Sequence, residues 1–345
     1  MKHIISLALI LMLAACATAP TPQATPEQLT IATTFYPLYD ATKAIAGTQS
    51  TVFSVVPQGV EPHSYEPTPQ DVLKVSKADV YVALGLEFER FEEELTVVGD
   101  FVVIDASTGV ALLDATGPDP HDHGHHDEHE EEHHAEHGDE HEEHHDMHDV
   151  PCHQMPDGSW MGDCDEDEHH DVHTGKDPHI WVSPKSMITM SENIAAGLKQ
   201  ADPASAAVYE ANAATYIAQL KELDAAFTAG LATCKKDTVL VNHAAFAYLA
   251  HDYGFNQLAI GGLEPDAEPT PQQIVALIEE AQEHDLKYVF YEELVDPRIA
   301  ETIAEEVGAE TLELNPIEGA KDPADTYVSI MQRNLVNLRL ALECA

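Results

Sequence analysis

The sequence predicts an α/β protein of two similar parallel-sheet lobes, and three observations carry that prediction. Short β-branched or apolar runs alternate with stretches of helical spacing in the first part of the chain, and the alternation resumes in the last part. A local repeat marks both halves: Glu66-Pro67-Thr68-Pro69-Gln70 returns as Glu268-Pro269-Thr270-Pro271-Gln272. Alternation of this kind builds a parallel sheet covered by helices on both faces.

In the first lobe, taken as residues 29–183, the strand-like runs are Leu29 to Tyr36, Val52 to Val56, Ala78 to Leu84 and Phe101 to Asp105. In the second, residues 233–345, they are Thr238 to Asn242, Phe255 to Ile260, Tyr288 to Tyr291 and Thr311 to Leu314. Each copy of the repeat reads as a helix start: Thr68 and Thr270 are N-caps, a proline follows at the first helical position, and Asp71 and Gln273 stand three residues on. Between the lobes, in residues 184–232, Pro184 to Gln200 and Pro203 to Leu231 have helical character. Tyr209, Tyr216, Leu220, Leu223 and Phe227 share one face of the second, which reads as a long, stiff connector.

The chain opens with Lys2 and His3, a largely apolar stretch from Ile4 to Met12, and Leu13-Ala14-Ala15-Cys16. The apolar stretch is far shorter than the ~20 residues of a spanning helix, so residues 1–15 read as an export signal. The ending resembles the bacterial lipobox, which implies that Cys16 carries lipid and that residues 16–28, rich in Thr, Pro and Ala, form a tether. Without the signal roughly 330 residues remain, more than one core usually organises.

A formal net charge of -46 argues against nucleic acid as a partner, because so few Lys and Arg cannot neutralise phosphates. It suits a protein that attracts cations. The charge concentrates between Asp119 and His173, where sixteen His and twenty-one Asp or Glu stand with no Lys or Arg. With almost nothing apolar to bury, this segment is expected to stay solvated, and its imidazoles and carboxylates suit several weak Zn²⁺ sites. Within it, Cys152 and Cys164 flank a Pro156-Asp157-Gly158 turn, and Met155 and Met161 offer soft donors for Cu(I). The positions of the cysteines favour pairing Cys152 with Cys164 and Cys234 with Cys344, one of three connectivities that four cysteines allow.

Three further histidines stand after strand-like runs or in Pro-flanked loops: His63 in Glu61-Pro62-His63-Ser64-Tyr65, His179 in Asp177-Pro178-His179-Ile180-Trp181, and His243 after Val241-Asn242. In open parallel sheets ligands bind outside the carboxyl ends of the strands. Two of the three belong to the first lobe or its border and one to the second, so an ion held by all three would sit in the interlobe cleft.

The order His63 before a Pro-Thr-Pro-Gln-Asp helix start, an acidic His-rich loop, Asp177-Pro178-His179-Ile180-Trp181-Val182-Ser183-Pro184, and His243 in a His-Ala-Ala-Phe-Ala-Tyr context resembles the ZnuA-like metal-binding proteins of bacterial ABC importers. The resemblance covers nearly all of the chain after the signal. It implies two Rossmann-like lobes joined by a rigid helix, with His63, His179 and His243 as metal ligands. It also implies Zn²⁺ as the transported ligand, an ABC permease as partner, and an extracytoplasmic, lipid-anchored monomer. A His at the third position is typical of zinc members, in keeping with the preference of imidazole for Zn²⁺ over Mn²⁺. Where many relatives carry Asp, this chain has Leu314-Asn315-Pro316, which leaves the fourth ligand open among Asn315, a water and Glu292.

The alternatives are a surface metal buffer or adhesin sharing the fold and, further off, a zinc hydrolase. For the hydrolase the sequence offers no His-Glu-x-x-His, nucleophile elbow or P-loop.

Overall fold

The computed structural model describes residues 28–86, 88–115, 153–154, 160–161 and 175–345. The export signal, Cys16, the tether, Cys152, Met155, Cys164 and most of the His-rich segment lie outside the described residues.

The first lobe runs β1 (Leu29–Thr33), α1 (Tyr36–Ala46), β2 (Ser50–Ser54), α2 (Pro69–Val75), β3 (Val80–Ala83), α3 (Glu92–Thr96) and β4 (Val102–Asp105). Its sheet is wholly parallel, in the order β2-β1-β3-β4. The central strand β3, Val-Tyr-Val-Ala, is buried at every position, whereas β4 at the edge leaves Val102 and Val103 exposed. A continuous apolar run belongs between two neighbours in a sheet covered on both faces. A short antiparallel ribbon follows, β5 (His153–Gln154) with β6 (Trp160–Met161).

The second lobe runs β7 (Thr238–Val241), α6 (Ala247–Tyr253), β8 (Asn256–Ala259), α7 (Pro271–Glu283), β9 (Tyr288–Tyr291), α8 (Arg298–Val307), β10 (Glu310–Glu313) and α9 (Tyr327–Ala341). Its parallel sheet has the order β10-β9-β7-β8. In terms of first to fourth strand this is the order of the first lobe, so the two lobes share one topology. The repeated pentapeptide performs the same task in each. Thr68 accepts from Asp71 N–H while Asp71 accepts from Thr68 N–H at 2.8 Å, and Thr270 and Gln273 make the same reciprocal pair, at 2.7 Å for the return bond. Such a cap stabilises a helix by about 1 kcal/mol.

Between the lobes stand a 3₁₀ turn (Ile180–Val182) and two long helices, α4 (Pro184–Ala201) and α5 (Ala206–Gly230). The helix α5 packs on α4 and α1 and also on α9 of the second lobe, burying Tyr209, Tyr216, Leu220, Leu223 and Phe227. At ~1.5 Å per residue it is long enough to brace both lobes. One core of buried side chains runs through the first lobe, the connecting helices and the near side of the second lobe. A smaller cluster around Leu240, Val289, Ile303 and Ala304 fills the far side under α7 and α8. Polar bonds stitch the same junction: Trp181 Nε1–H donates to Pro316 O at 2.7 Å, Tyr327 hydroxyl to Trp181 O at 2.8 Å, and Tyr36 hydroxyl to Asp325 O at 2.9 Å.

Cys234, just before β7, is joined by a disulfide to Cys344 at the chain end, 110 residues later. Closing so long a loop restricts the unfolded chain, and a Cys234→Ser, Cys344→Ser double variant should lose about 2–5 kcal/mol of unfolding free energy in denaturant titration.

Candidate metal centre

The loops that leave the carboxyl ends of the strands converge between the lobes. His63 comes from the loop between β2 and α2, where its N–H donates to Glu61 Oε1 at 3.1 Å. His179 precedes the 3₁₀ turn that leads into α4. His243 follows β7, the strand at which the second lobe's strand order reverses, and Glu318 lies on the loop after β10. All four are buried, and one ligand atom from each lies within 4.8 Å of the others.

Glu318 Oε1 stands 3.2 Å from His63 Nε2, 3.6 Å from His179 Nε2 and 3.2 Å from His243 Nε2, and the Nε2 atoms of His63 and His179 are 3.4 Å apart. A tetrahedron with zinc-to-nitrogen or zinc-to-oxygen bonds of ~2.0–2.1 Å has edges of about 3.3 Å. The four separations bracket that value. His243 Nε2 is fully buried, and Glu318 Oε1 at 3.2 Å stands beside it with the other two ring nitrogens. Three imidazoles and a carboxylate suit a borderline divalent cation.

Carboxylates hold the rings from behind. Asp177 Oδ1 lies 2.8 Å from His179 Nδ1 and accepts from His179 N–H at 2.9 Å. Glu292 Oε1 lies 2.7 Å from His243 Nδ1 and accepts from His243 N–H at 3.1 Å. An Nδ1–H held in this way leaves the Nε2 lone pair for a metal. Aromatic rings wall the site: Phe88 lies edge-on to His63 at 4.6 Å, and Trp181 packs against His179 at 5.1 Å. Loss of a supporting carboxylate typically costs 10–100-fold in metal affinity, so Glu292→Gln should weaken Zn²⁺ binding by about that factor in a chelator competition, with an unchanged far-UV spectrum.

The structure brings together the three histidines that the sequence singles out, and the carboxylate that stands with them is Glu318. Asn315 is committed to its own loop: its Oδ1 accepts from Ile317 N–H at 2.8 Å, its Nδ2 donates to Glu293 at 2.9 Å, and Asn334 brackets its backbone. That bracing holds Ile317 at a φ of 64°, a left-handed conformation rare for a β-branched residue, and the turn brings Glu318 into the cleft. Glu292 serves as the brace behind His243. In the first lobe the buried Glu89 bonds the Thr34 hydroxyl and Leu84 N–H.

Without a metal the four groups hold one another's charge. Burial lowers the pKa of His63, but Glu318 and Glu264 outweigh it and leave the value at about 9. Burial also disfavours charge on His243, and Glu292 with Glu318 overcomes it, so that imidazole stays protonated well above its ordinary range. For Glu318 burial favours the neutral acid, and His243 and His63 reverse this to hold it ionised. Burial wins at His179, whose pKa falls despite Asp177.

Two α/β lobes of one topology, closed over three imidazoles and a carboxylate, define a cleft-type metal-binding protein. Residues 31–341 match the family described as zinc-uptake complex component A, periplasmic (ZnuA), and the chain belongs to that family. It is 34% identical over 327 residues to the zinc-binding protein AdcA of Streptococcus pyogenes, covering 91% of this chain and 56% of that one. It is 33% identical to the high-affinity zinc uptake system protein ZnuA of Bacillus subtilis, over 97% of this chain and 95% of the relative. Among solved structures, the Zn(II)-bound ZnuA-like domain of Streptococcus pneumoniae AdcA superposes with a TM-score of 0.68 at 30% identity, covering 92% of this chain and all of that domain. The chain thus spans about half the length of the streptococcal relatives. The family is one of solute-binding components of uptake systems, and not of enzymes.

Proposed function

We propose that this chain captures Zn²⁺ outside the cytoplasm and delivers it to the permease of an ABC importer. The convergence of His63, His179, His243 and Glu318 into one buried set, with their ligand atoms within 4.8 Å of one another, carries this reading. The names of the relatives in Streptococcus and Bacillus support zinc as the cargo.

In this reading each residue has one task. The three Nε2 atoms and Glu318 replace the ion's water, Asp177 and Glu292 fix the tautomers, and Phe88 and Trp181 keep solvent out. The donor set totals one negative charge, so a bound Zn²⁺ leaves a net charge of +1, and the surrounding carboxylates Asp177, Glu292 and Glu264 offset it. The His-rich segment, by composition, gathers further ions. Deleting residues 121–173 should lower the total number of ions bound while leaving one tight site; loss of that site with the segment would contradict this division of labour.

Among the described residues no helix is long and apolar enough to cross a membrane. Attachment is assigned to lipid on Cys16, and the protein is taken to act as a monomer. Mass spectrometry of the membrane-extracted protein should find a diacylated cysteine at residue 16, and Cys16→Ser should release it from the membrane fraction. The transport role itself is tested by zinc accumulation in cells. Uptake that requires both this chain and a permease supports import, whereas sequestration without a permease would favour the surface-buffer alternative.

A further inference from the structure

Each imidazole of the centre has a carboxylate oxygen near Nδ1, but the three pairs differ in kind. Asp177 and Glu292 lie 2.8 Å and 2.7 Å behind His179 and His243, and both are almost wholly buried. Behind His63 stands Glu264, 3.5 Å from Nδ1 and 30% exposed. His63 belongs to the first lobe, whereas Glu264 belongs to the second, on the loop between β8 and α7. The other oxygen of Glu264 lies 3.5 Å from Arg90, again of the first lobe and 55% exposed.

We propose that Glu264 is a positioning residue that couples lobe closure to metal retention, reaching from the second lobe to hold both His63 and Arg90 of the first. This rests on the reading of His63 as a zinc ligand. While the lobes are closed, Glu264 keeps the Nδ1 side of His63 occupied and its Nε2 turned to the ion. When they part, His63 is the one imidazole that loses its carboxylate, and it leaves the metal first.

The loop that carries Glu264 is built to transmit such a movement. Gly261 N–H donates to Asn242 O at 2.7 Å and Ala244 N–H to Gly262 O at 2.8 Å, so the loop is bonded on both sides of His243 and travels with it. His179 and His243 keep their own braces whatever the lobes do, since Asp177 is two residues from His179 and Glu292 directly follows β9, which pairs with the strand β7 that leads to His243. An exposed ion pair such as Arg90 with Glu264 is weak by itself. Its consequence here is kinetic, because it spans the two lobes that part when the ion leaves.

The test is the rate of Zn²⁺ release from the full chain loaded with one equivalent, followed in a chase with excess chelator, together with the association rate. Glu264→Ala and Arg90→Ala should each accelerate release, by about 10–100-fold for Glu264→Ala, in line with loss of a supporting carboxylate, and by less for Arg90→Ala. Association and the presence of one tight site should stay as in the parent, and Arg90→Lys should restore slow release. The double variant should release no faster than Glu264→Ala, as expected for groups acting in one unit. Unchanged release from Glu264→Ala, additive effects in the double variant, or an equal slowing of association would overturn the proposal. Failure of the parent chain to hold one equivalent tightly would instead refute the ligand assignment on which it rests.

Discussion

His243→Ala should abolish tight zinc binding, lowering affinity by more than the roughly 100-fold that loss of a supporting group causes. His243 offers the most exposed case for the account because it is fully buried, its Nε2 faces Glu318 Oε1 at 3.2 Å, and its Nδ1 and N–H are both secured by Glu292. Truncation removes a metal donor and also leaves Glu292 facing an empty space, without the ring that now shields it. The expected readout is competition with a chromophoric chelator: His243→Ala should surrender its metal to a chelator that the parent chain resists. His63→Ala should behave similarly. Far-UV spectra should change little for either, because both side chains sit on loops and neither belongs to the apolar core.

The second large effect is in pH. Zn²⁺ binds neutral imidazole, so binding must displace the protons that Glu318 and Glu292 stabilise on His63 and His243. At pH 7 about two protons should be released per ion, measurable by calorimetry in buffers of different ionisation enthalpy. While both protons are still being displaced, affinity should rise by up to ~100-fold per pH unit, and the rise should continue to near the His63 value of about 9. An unperturbed histidine would stop the rise near ~6.5.

Stability follows the same linkage with opposite signs for its two parts. In the metal-free protein the raised value of His63 contributes stability that is present below about 6.5 and is lost as pH climbs through about 9. The lowered value of Glu318 contributes stability present above its ordinary range near ~4.3, lost only as pH falls through its depressed value. The gain in melting temperature on adding zinc should therefore grow between pH 6 and pH 9. A gain that shrinks over that interval would contradict the protonation states described here.

Much of the architecture was legible in the residues because local signals and tertiary demands agree. Buried parallel strands need unbroken apolar runs, and Val80 to Ala83 and Thr238 to Val241 supply them. Both helix starts needed a capping residue and a partner three positions on, and the repeated pentapeptide supplies both. His63, His179 and His243 could be found because each stands outside the acidic segment, in a Pro-flanked loop or just after a strand-like run. Glu318 could not be found the same way: it is one of sixty-two acidic residues, and its placement depends on a left-handed turn at Ile317 held by Asn315 and Asn334 from a distant helix. Asn315 did mark the right loop. Its amide builds the turn, and the carboxylate three residues later faces the cleft. Glu264 was hidden for another reason, since its relevance depends on how two lobes meet, which no local pattern encodes.

Anomalous diffraction at the zinc edge, from crystals of the chain lacking residues 121–173 and loaded with one equivalent of Zn²⁺, tests the central claim most directly. A single peak ~2.0–2.2 Å from the Nε2 atoms of His63, His179 and His243 and from a carboxylate oxygen of Glu318 is the predicted result. A principal peak elsewhere, or one whose coordination omits two or more of these four residues, would contradict it.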